Sequence, residues 1–291
     1  MTGPVVVGLD ASPVSMTAAW WAAREAAERR LPVLLLHSWT TQPLDVPVPQ
    51  EALSKQRYGG QVLQRAQAEL LHRHAGLTVT TDLVAEHATQ ALLDLSETAS
   101  MLVLGSRGHG ALARFLLGSV SLHVLGLTQC PAVTVRAGDP AVEEGWGRPA
   151  APGRDEVLVG VPGDGPAATS LLEFAFAAAQ VRGKRVRAVR ALSPASVAAH
   201  PHTAFEHSVT EERARLAEQL APWREKYPDV AVVERVEKGS PAQALLSEAE
   251  HSRLTVVGRR RHPSPLTWKL GPVAHAALHH MPCPVAVVPH H

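Results

Sequence analysis

Cysteine is almost missing from this 291-residue chain: there are two, Cys130 and Cys283, each followed by a proline. Two cysteines build no disulfide framework, so the fold must rest on packed cores, and both thiols are expected to be buried. Aromatic residues are sparse at 4%, and no Lys/Arg cluster is interleaved with them, which removes the stacking platform of single-strand nucleic-acid binding. Charge of one sign is also lacking, since 28 Lys and Arg stand against 27 Asp and Glu. That balance points to no polyanion partner, and a 45% hydrophobic share argues against disorder. No Lys or Arg precedes Arg24, so no secretory leader is expected and a cytosolic, cytoplasmic location is. Long apolar runs are missing too. The longest uncharged window, Phe115 to Val135, is interrupted by Gly118, Ser119, Ser121, His123, Thr128, Gln129 and Pro131, so it is not expected to cross a membrane.

What the chain does contain is a duplication. Its length suits about two domains. The apolar run from Pro4 through Gly8 to Asp10 returns 152 residues later as Glu156 through Gly160 to Pro162. Met101 to Gly105 returns as Leu254 to Gly258, Gly118 as Gly271, and Cys130-Pro131 as Cys283-Pro284, all at an offset of 153. A period this long with a single indel is a duplicated domain rather than a solenoid repeat. The expected domains are 1–138 and 154–291, joined by a linker over 139–153 that is rich in Gly and Pro and has no apolar periodicity.

Within each copy, short β-branched runs alternate with helical patterns, the mark of βα units on a parallel sheet. Strands are expected near 4–9, 32–38, 77–84, 101–105 and 131–136, with helices near 14–30, 51–75, 88–98 and 119–127. The second copy places strands near 156–162, 184–191, 229–236, 253–258 and 284–288. The fold class is therefore α/β, as two tandem, doubly wound, parallel five-stranded sheets of Rossmann-like type. In such sheets ligands lie where neighbouring strands send their connections to opposite faces, here between the first and fourth strands.

After the fourth strand comes Gly105-Ser-Arg107-Gly108-His109-Gly110, and then Gly118-Ser119-Val120-Ser121 opens a helix. Backbone amides of a glycine loop and a helix start form an anion cradle, and Asp10 ends the strand opposite. On these residues the chain resembles the universal stress protein family, whose nucleotide-binding members carry Gly-x2-Gly-x9-Gly-Ser after the fourth strand and an Asp ending the first. The resemblance covers nearly the whole chain and implies the adenine nucleotide alpha hydrolase-like version of the fold. It also implies ATP, with Mg, in the first copy. Contacts would come from Gly8 and Asp10, from Gly105, Arg107, Gly108, His109 and Gly110, and from Gly118, Ser119, Val120 and Ser121. Adenine would lie near Ser38 and Ala85. A homodimer of chains, an unidentified protein partner and a stress-response role belong to the same implication.

The second copy departs from the pattern. Pro162 stands for Asp10, Arg261 for Gly108 and Pro272 for Ser119, so a degenerate site is expected there, although Arg259, Arg260 and Arg261 offer charge to a phosphate. Other motifs are weaker. Gly108 to Ala113 matches a dinucleotide fingerprint but follows the wrong strand and has no acid behind it, and GxxxxGK[ST] is absent. Asp10 could also serve as a helix cap beside Ser12, His37 is expected in the core, and His275 with His279 is expected to be a solvated pair rather than a metal site. No nucleophile, base and orienting acid occur together, so no catalytic residue and no protein metal site are assigned. A nucleotide-gated binding protein rather than an enzyme is the expectation. A slow ATPase or self-phosphorylating enzyme using Asp10 and a divalent metal is the alternative, and a nucleotide-free structural member is a third reading.

Overall fold

The computed structural model describes residues 3–40, 49–106, 118–143, 153–192, 202–261 and 270–290. They form two compact units that divide between residues 143 and 153 of the described chain.

In the first unit, β1 (Val5–Gly8), β2 (Val33–Thr40), β3 (Val79–His87), β4 (Met101–Ser106) and β5 (Ala132–Arg136) pair in parallel in the order β3-β2-β1-β4-β5. Helices α1 (Pro13–Arg29) and α2 (Pro49–Arg73) pack on one face, and α3 (Ala88–Leu95) and α4 (Ser119–Leu127) on the other. The chain leaves β1 for β2 on one side while β4 lies on its other side, so the switch point falls between β1 and β4. Both strands are buried apolar runs, as strands covered on two faces require.

Helix α1 shows why the sequence folds this way locally. The Ser12 side chain accepts the Ser15 amide, Pro13 supplies a preset φ at the first helical position, and Arg30 closes the helix in the left-handed region at φ 57°. Ala18, Ala22 and Ala26 are fully buried, so the small face expected from their spacing is the face laid on the sheet. Glu25, on the same helix, is 1% exposed and is matched by Arg29 at 2.5 Å.

Two boundaries differ from the sequence pattern. Strand β3 continues past residue 84 to His87, because Ser38 Oγ donates to the Glu86 carbonyl at 2.6 Å and the β2–β3 pairing reaches Thr40 and His87. Helix α3 stops at Leu95 because the Ser96 hydroxyl turns back to the Leu93 carbonyl at 2.6 Å. A single turn, α5 (Pro140–Glu143), follows β5, and its Glu143 carboxylate accepts the Gly138 amide at 2.7 Å.

The second unit repeats the plan with β6 (Glu156–Gly160), β7 (Arg185–Leu192), β8 (Val232–Lys238), β9 (Ser252–Arg260) and β10 (Val285–His290) in the order β8-β7-β6-β9-β10. Helices α6 (Pro166–Arg182) and α7 (His202–Lys226) cover one face, and α8 (Pro241–Ser247) and α9 (Pro272–His280) the other. Its core includes Phe176 against Trp223 and Tyr227, with ring centroids 5.9 and 5.7 Å away. At the start of the sheet the Glu156 carboxylate, 1% exposed, takes Arg187 in a two-pronged bond at 2.5 and 2.9 Å and Arg185 at 2.9 Å. Glu248 holds Arg187 from the other side at 2.6 Å, and these carboxylates raise the Arg187 pKa above its ordinary value. Both cysteines are buried and outside any disulfide, with Cys283 Sγ 3.2 Å from the Ser252 and Thr255 hydroxyls.

Candidate functional site

A cavity of about 440 Å³ opens at the carboxyl ends of β1 and β4. Gly8, Asp10, Ser38, Gly105, Gly118, Ser119, Val120 and Ser121 all border it, so the fold gathers these expected contacts from four separate stretches of chain. Leu36, Leu92 and Leu104 supply an apolar floor. Ala85 is not among the described lining residues: it is exposed within β3, and Ala88, just beyond the extended strand, borders the cavity instead. Arg107, Gly108, His109 and Gly110 lie outside the described residues.

Asp10 is exposed and does not itself cap α1. Its Oδ1 accepts the Ser12 amide at 3.0 Å and the Ser12 hydroxyl, while the Asp10 amide donates to Ser15 Oγ at 3.3 Å. Ser12 is the cap, and Asp10 fixes the cap. Between them Ala11 is held at φ 65°, a left-handed conformation that costs about 1–2 kcal/mol for a residue with a β-carbon.

Across the cavity, α4 begins with Gly118 at its N-cap, φ −61° and ψ 154°, with no side-chain cap bond. The first amides of a helix have no acceptor within it, and here they stand beside a cavity with the positive end of the helix dipole. This end is suited to an anion. A β-carbon on Gly118 would meet no atom within 4 Å, whereas one on Gly105 would lie 3.0 Å from the Val14 backbone. The two glycines of the motif therefore do different work: Gly105 lets α1 lie close to β4, and Gly118 leaves the cavity wall open.

Part of the lining and of its support is not marked in the sequence. The Ser38 hydroxyl donates to the Glu86 and Thr40 carbonyls, so it pins β3 to β2 in addition to bordering the cavity. Ser15 and the floor leucines carry no motif of their own in the sequence: Leu36 and Leu104 lie within the apolar runs of β2 and β4, and Leu92 is a buried residue of α3. His37 is a core residue as expected, 8% exposed, with Nδ1 2.8 Å from the Leu9 carbonyl and packed beneath Gly59.

In the second unit Arg259 is 4% exposed, and burial together with Arg261 brings its pKa down to about 10. Its side chain is packed into the protein, whereas the neighbouring Arg260 is exposed. His275 and His279 face each other at 4.3 Å between ring centroids. Among the described residues no group of three or more His, Cys, Asp or Glu could hold a metal, and no helix is long and apolar enough to cross a membrane.

The chain matches the model of the Universal stress protein family twice, over residues 1–136 and 153–289. A universal stress protein of Mycolicibacterium smegmatis is 35% identical, with 98% of this chain and 96% of that protein covered. A universal stress protein of Mycobacterium tuberculosis is 34% identical, with 97% of this chain and 96% of that protein covered. The fold is that of a solved universal stress protein from Archaeoglobus fulgidus, TM-score 0.72 at 17% identity, covering 98% of each chain. With two tandem matches and full-length relatives above the level at which family is secure, the chain belongs to the universal stress protein family.

Proposed function

We propose that the first unit binds ATP with Mg²⁺ and that occupancy of this cavity switches the protein between states read by a stress-response partner. The observation that carries the reading is the cavity itself, which sets Asp10 against the uncapped start of α4 across an apolar floor. Phosphates suit the α4 end, where amides and the Ser119 and Ser121 hydroxyls are donors. Asp10 is the one carboxylate among the described lining residues, placed to take a ribose hydroxyl or a phosphate-bound Mg²⁺. The floor of Leu36, Leu92 and Leu104 suits a base. When bound, Mg²⁺ would neutralise phosphate charge.

The described polar lining consists of amides, hydroxyls and Asp10, and Arg107 and His109 of the expected site lie outside the described residues. Ground-state phosphates can be held by amides and hydroxyls, whereas rate acceleration needs groups that act more strongly on the transition state. The described amides and hydroxyls are of the first kind, and they support a binding role. The exposed Asp10 carboxylate at the cavity favours, as second reading, a slow ATPase or self-phosphorylating activity. We also place the protein in the cytosol, where buried reduced cysteines are at home, and, by family resemblance, as a homodimer of chains.

The experiment is a calorimetric titration with ATP and Mg²⁺, paired with a mass spectrum of the denatured purified protein and a steady-state hydrolysis assay. One ATP per first unit, with turnover far below the roughly 10 per second of a median enzyme, is the expected result. Turnover in that range, abolished by Asp10→Ala in a folded protein, would replace gating by catalysis. ATP that leaves the protease sensitivity of residues 105–118 unchanged would remove gating, since a ligand shifts states only by its differential affinity for them.

A further inference from the structure

We propose that the second unit carries a ligand site of different chemistry: its cavity takes an uncharged, nucleoside-sized molecule and rejects nucleoside triphosphates. This stands on the residues of the second unit alone.

A cavity of about 490 Å³ opens at the carboxyl ends of β6 and β9, bordered by Gly160, Pro162, Val189, Leu245 and Gly258. Its volume is in the range of small-molecule sites, and most of its wall is apolar. The polar part of the wall is built around Arg190, which occupies in β7 the place His37 has in β2. The Arg190 side chain is 7% exposed. Its Nη2 donates to the Pro162 carbonyl at 3.0 Å and to Gln219 at 2.5 Å, and its Nη1 donates to Glu212 at 3.3 Å. Glu212, also at the cavity, is held by Arg215 at 2.8 Å.

Two consequences follow for a ligand. Besides His290, Arg190 and Glu212 are the ionisable groups of the described wall, and they are paired with each other, so neither presents an unmatched charge to a ligand. A triphosphate entering here would lose hydration and meet, among the described wall residues, no arginine or lysine without a carboxylate partner. The phosphate end has changed as well. Pro162 brings no carboxylate where Asp10 stands in the first unit, and Pro272 removes both the hydroxyl and the amide that Ser119 supplies at the start of α4. Neither Gly271 nor Pro272 is among the described residues bordering this cavity, whereas Gly118 and Ser119 border the first.

The second observation is a hydrogen bond left unmade. Arg190 Nε is buried without a partner. A buried donor without an acceptor is unfavourable, and a ligand that brings a carbonyl or ring nitrogen to this wall relieves it. Beside it, the Glu212 carboxylate accepts from hydroxyls. Neutral, flat, apolar on its faces and carrying both acceptors and hydroxyls at its edge, a nucleoside matches this set.

The test uses the full chain, with adenosine and ATP as probes and amide hydrogen exchange as the readout. Adenosine is expected to protect residues 160–163 and 241–245, and ATP at the same concentration to protect them at least about tenfold less well by titration, a difference set by the unmatched phosphate charge. Leu245→Trp, which fills the cavity, is expected to abolish the adenosine effect in the second unit. Should that variant unfold, the unaltered chain still decides. Absence of adenosine protection at these residues, or equal protection by ATP, overturns the proposal. Failure of the first-unit reading shows separately, as absence of ATP protection at residues 118–121.

Discussion

The two glycines that flank the first cavity can be told apart by adding one carbon to each. In Gly105→Ala the new methyl would lie 3.0 Å from the carbonyl carbon, carbonyl oxygen and Cγ1 of Val14. Two of these are backbone atoms in the first turn of α1, which cannot rotate away as a side chain would. The helix must back off from β4, and overpacking of this kind costs about 1–3 kcal/mol. Because Ser12 and Asp10 are tied to the same turn, the displacement should carry Asp10 with it. Gly118→Ala meets no atom within 4 Å, and with φ at −61° it needs no special backbone. Its stability cost should stay below about 1 kcal/mol, the difference between an N-cap glycine and an N-cap alanine. Urea unfolding at constant slope, followed by ATP titration, checks both. Gly105→Ala should lower the midpoint and the affinity together. Gly118→Ala should leave the midpoint nearly in place, and Gly118→Glu should abolish ATP binding by setting a negative charge against the phosphates. An unchanged midpoint for Gly105→Ala would refute the assignment of that glycine to helix packing.

Asp10→Ala should weaken ATP by about 10- to 150-fold, the equivalent of a charge-assisted bond of 1.5–3 kcal/mol, whereas Asp10→Asn should keep the turn at Ser12 and lose only the charge, which calorimetry beside urea unfolding separates. Glu156→Gln should destabilise the second unit by about 3 kcal/mol, because it strands the Arg187 guanidinium in a half-matched, mostly buried pair; unfolding by denaturant reads this directly. His74 has its pKa lowered from 6.5 by burial and by Arg73 and Arg24, so the unfolded chain takes up the proton first. The stability it contributes is therefore full above about pH 6.5 and is lost as the pH falls below that value, and His74→Gln should flatten the pH dependence of the unfolding midpoint there.

The duplication, the two five-stranded parallel sheets and most strand positions were legible because buried parallel strands read as short β-branched runs that recur at one offset. Asp10 and the Gly118 to Ser121 helix start were legible for a different reason: turn and cap chemistry is local, and a glycine before Ser119 marks a helix start by itself. What the sequence did not carry was the role of each residue within the motif. The motif implies Gly105 as a phosphate contact, yet its clearance is used by Val14, and nothing in the spacing of a glycine tells which neighbour comes close. The resemblance implies adenine near Ala85, one residue past a strand expected to end at 84. The strand is prolonged by a hydroxyl from Ser38 to the Glu86 carbonyl, a bond between residues 48 apart that no local pattern encodes. Arg190 passed unnoticed for the same reason, since a lone arginine in a strand shows its buried partners only once α7 is folded over it.

The left-handed Ala11 has a consequence for how the cavity meets whatever enters it. Holding that turn is a cost met at folding, when Asp10 closes on Ser12, and Ala11→Gly should accordingly return about 1 kcal/mol of stability. A ligand that engaged Asp10 would find the carboxylate already oriented and would lose little conformational freedom in doing so. The turn thus acts as a preset jaw, built before the encounter, and the entropy that an unstructured strand-to-helix connection would demand at binding has been surrendered in advance by the fold.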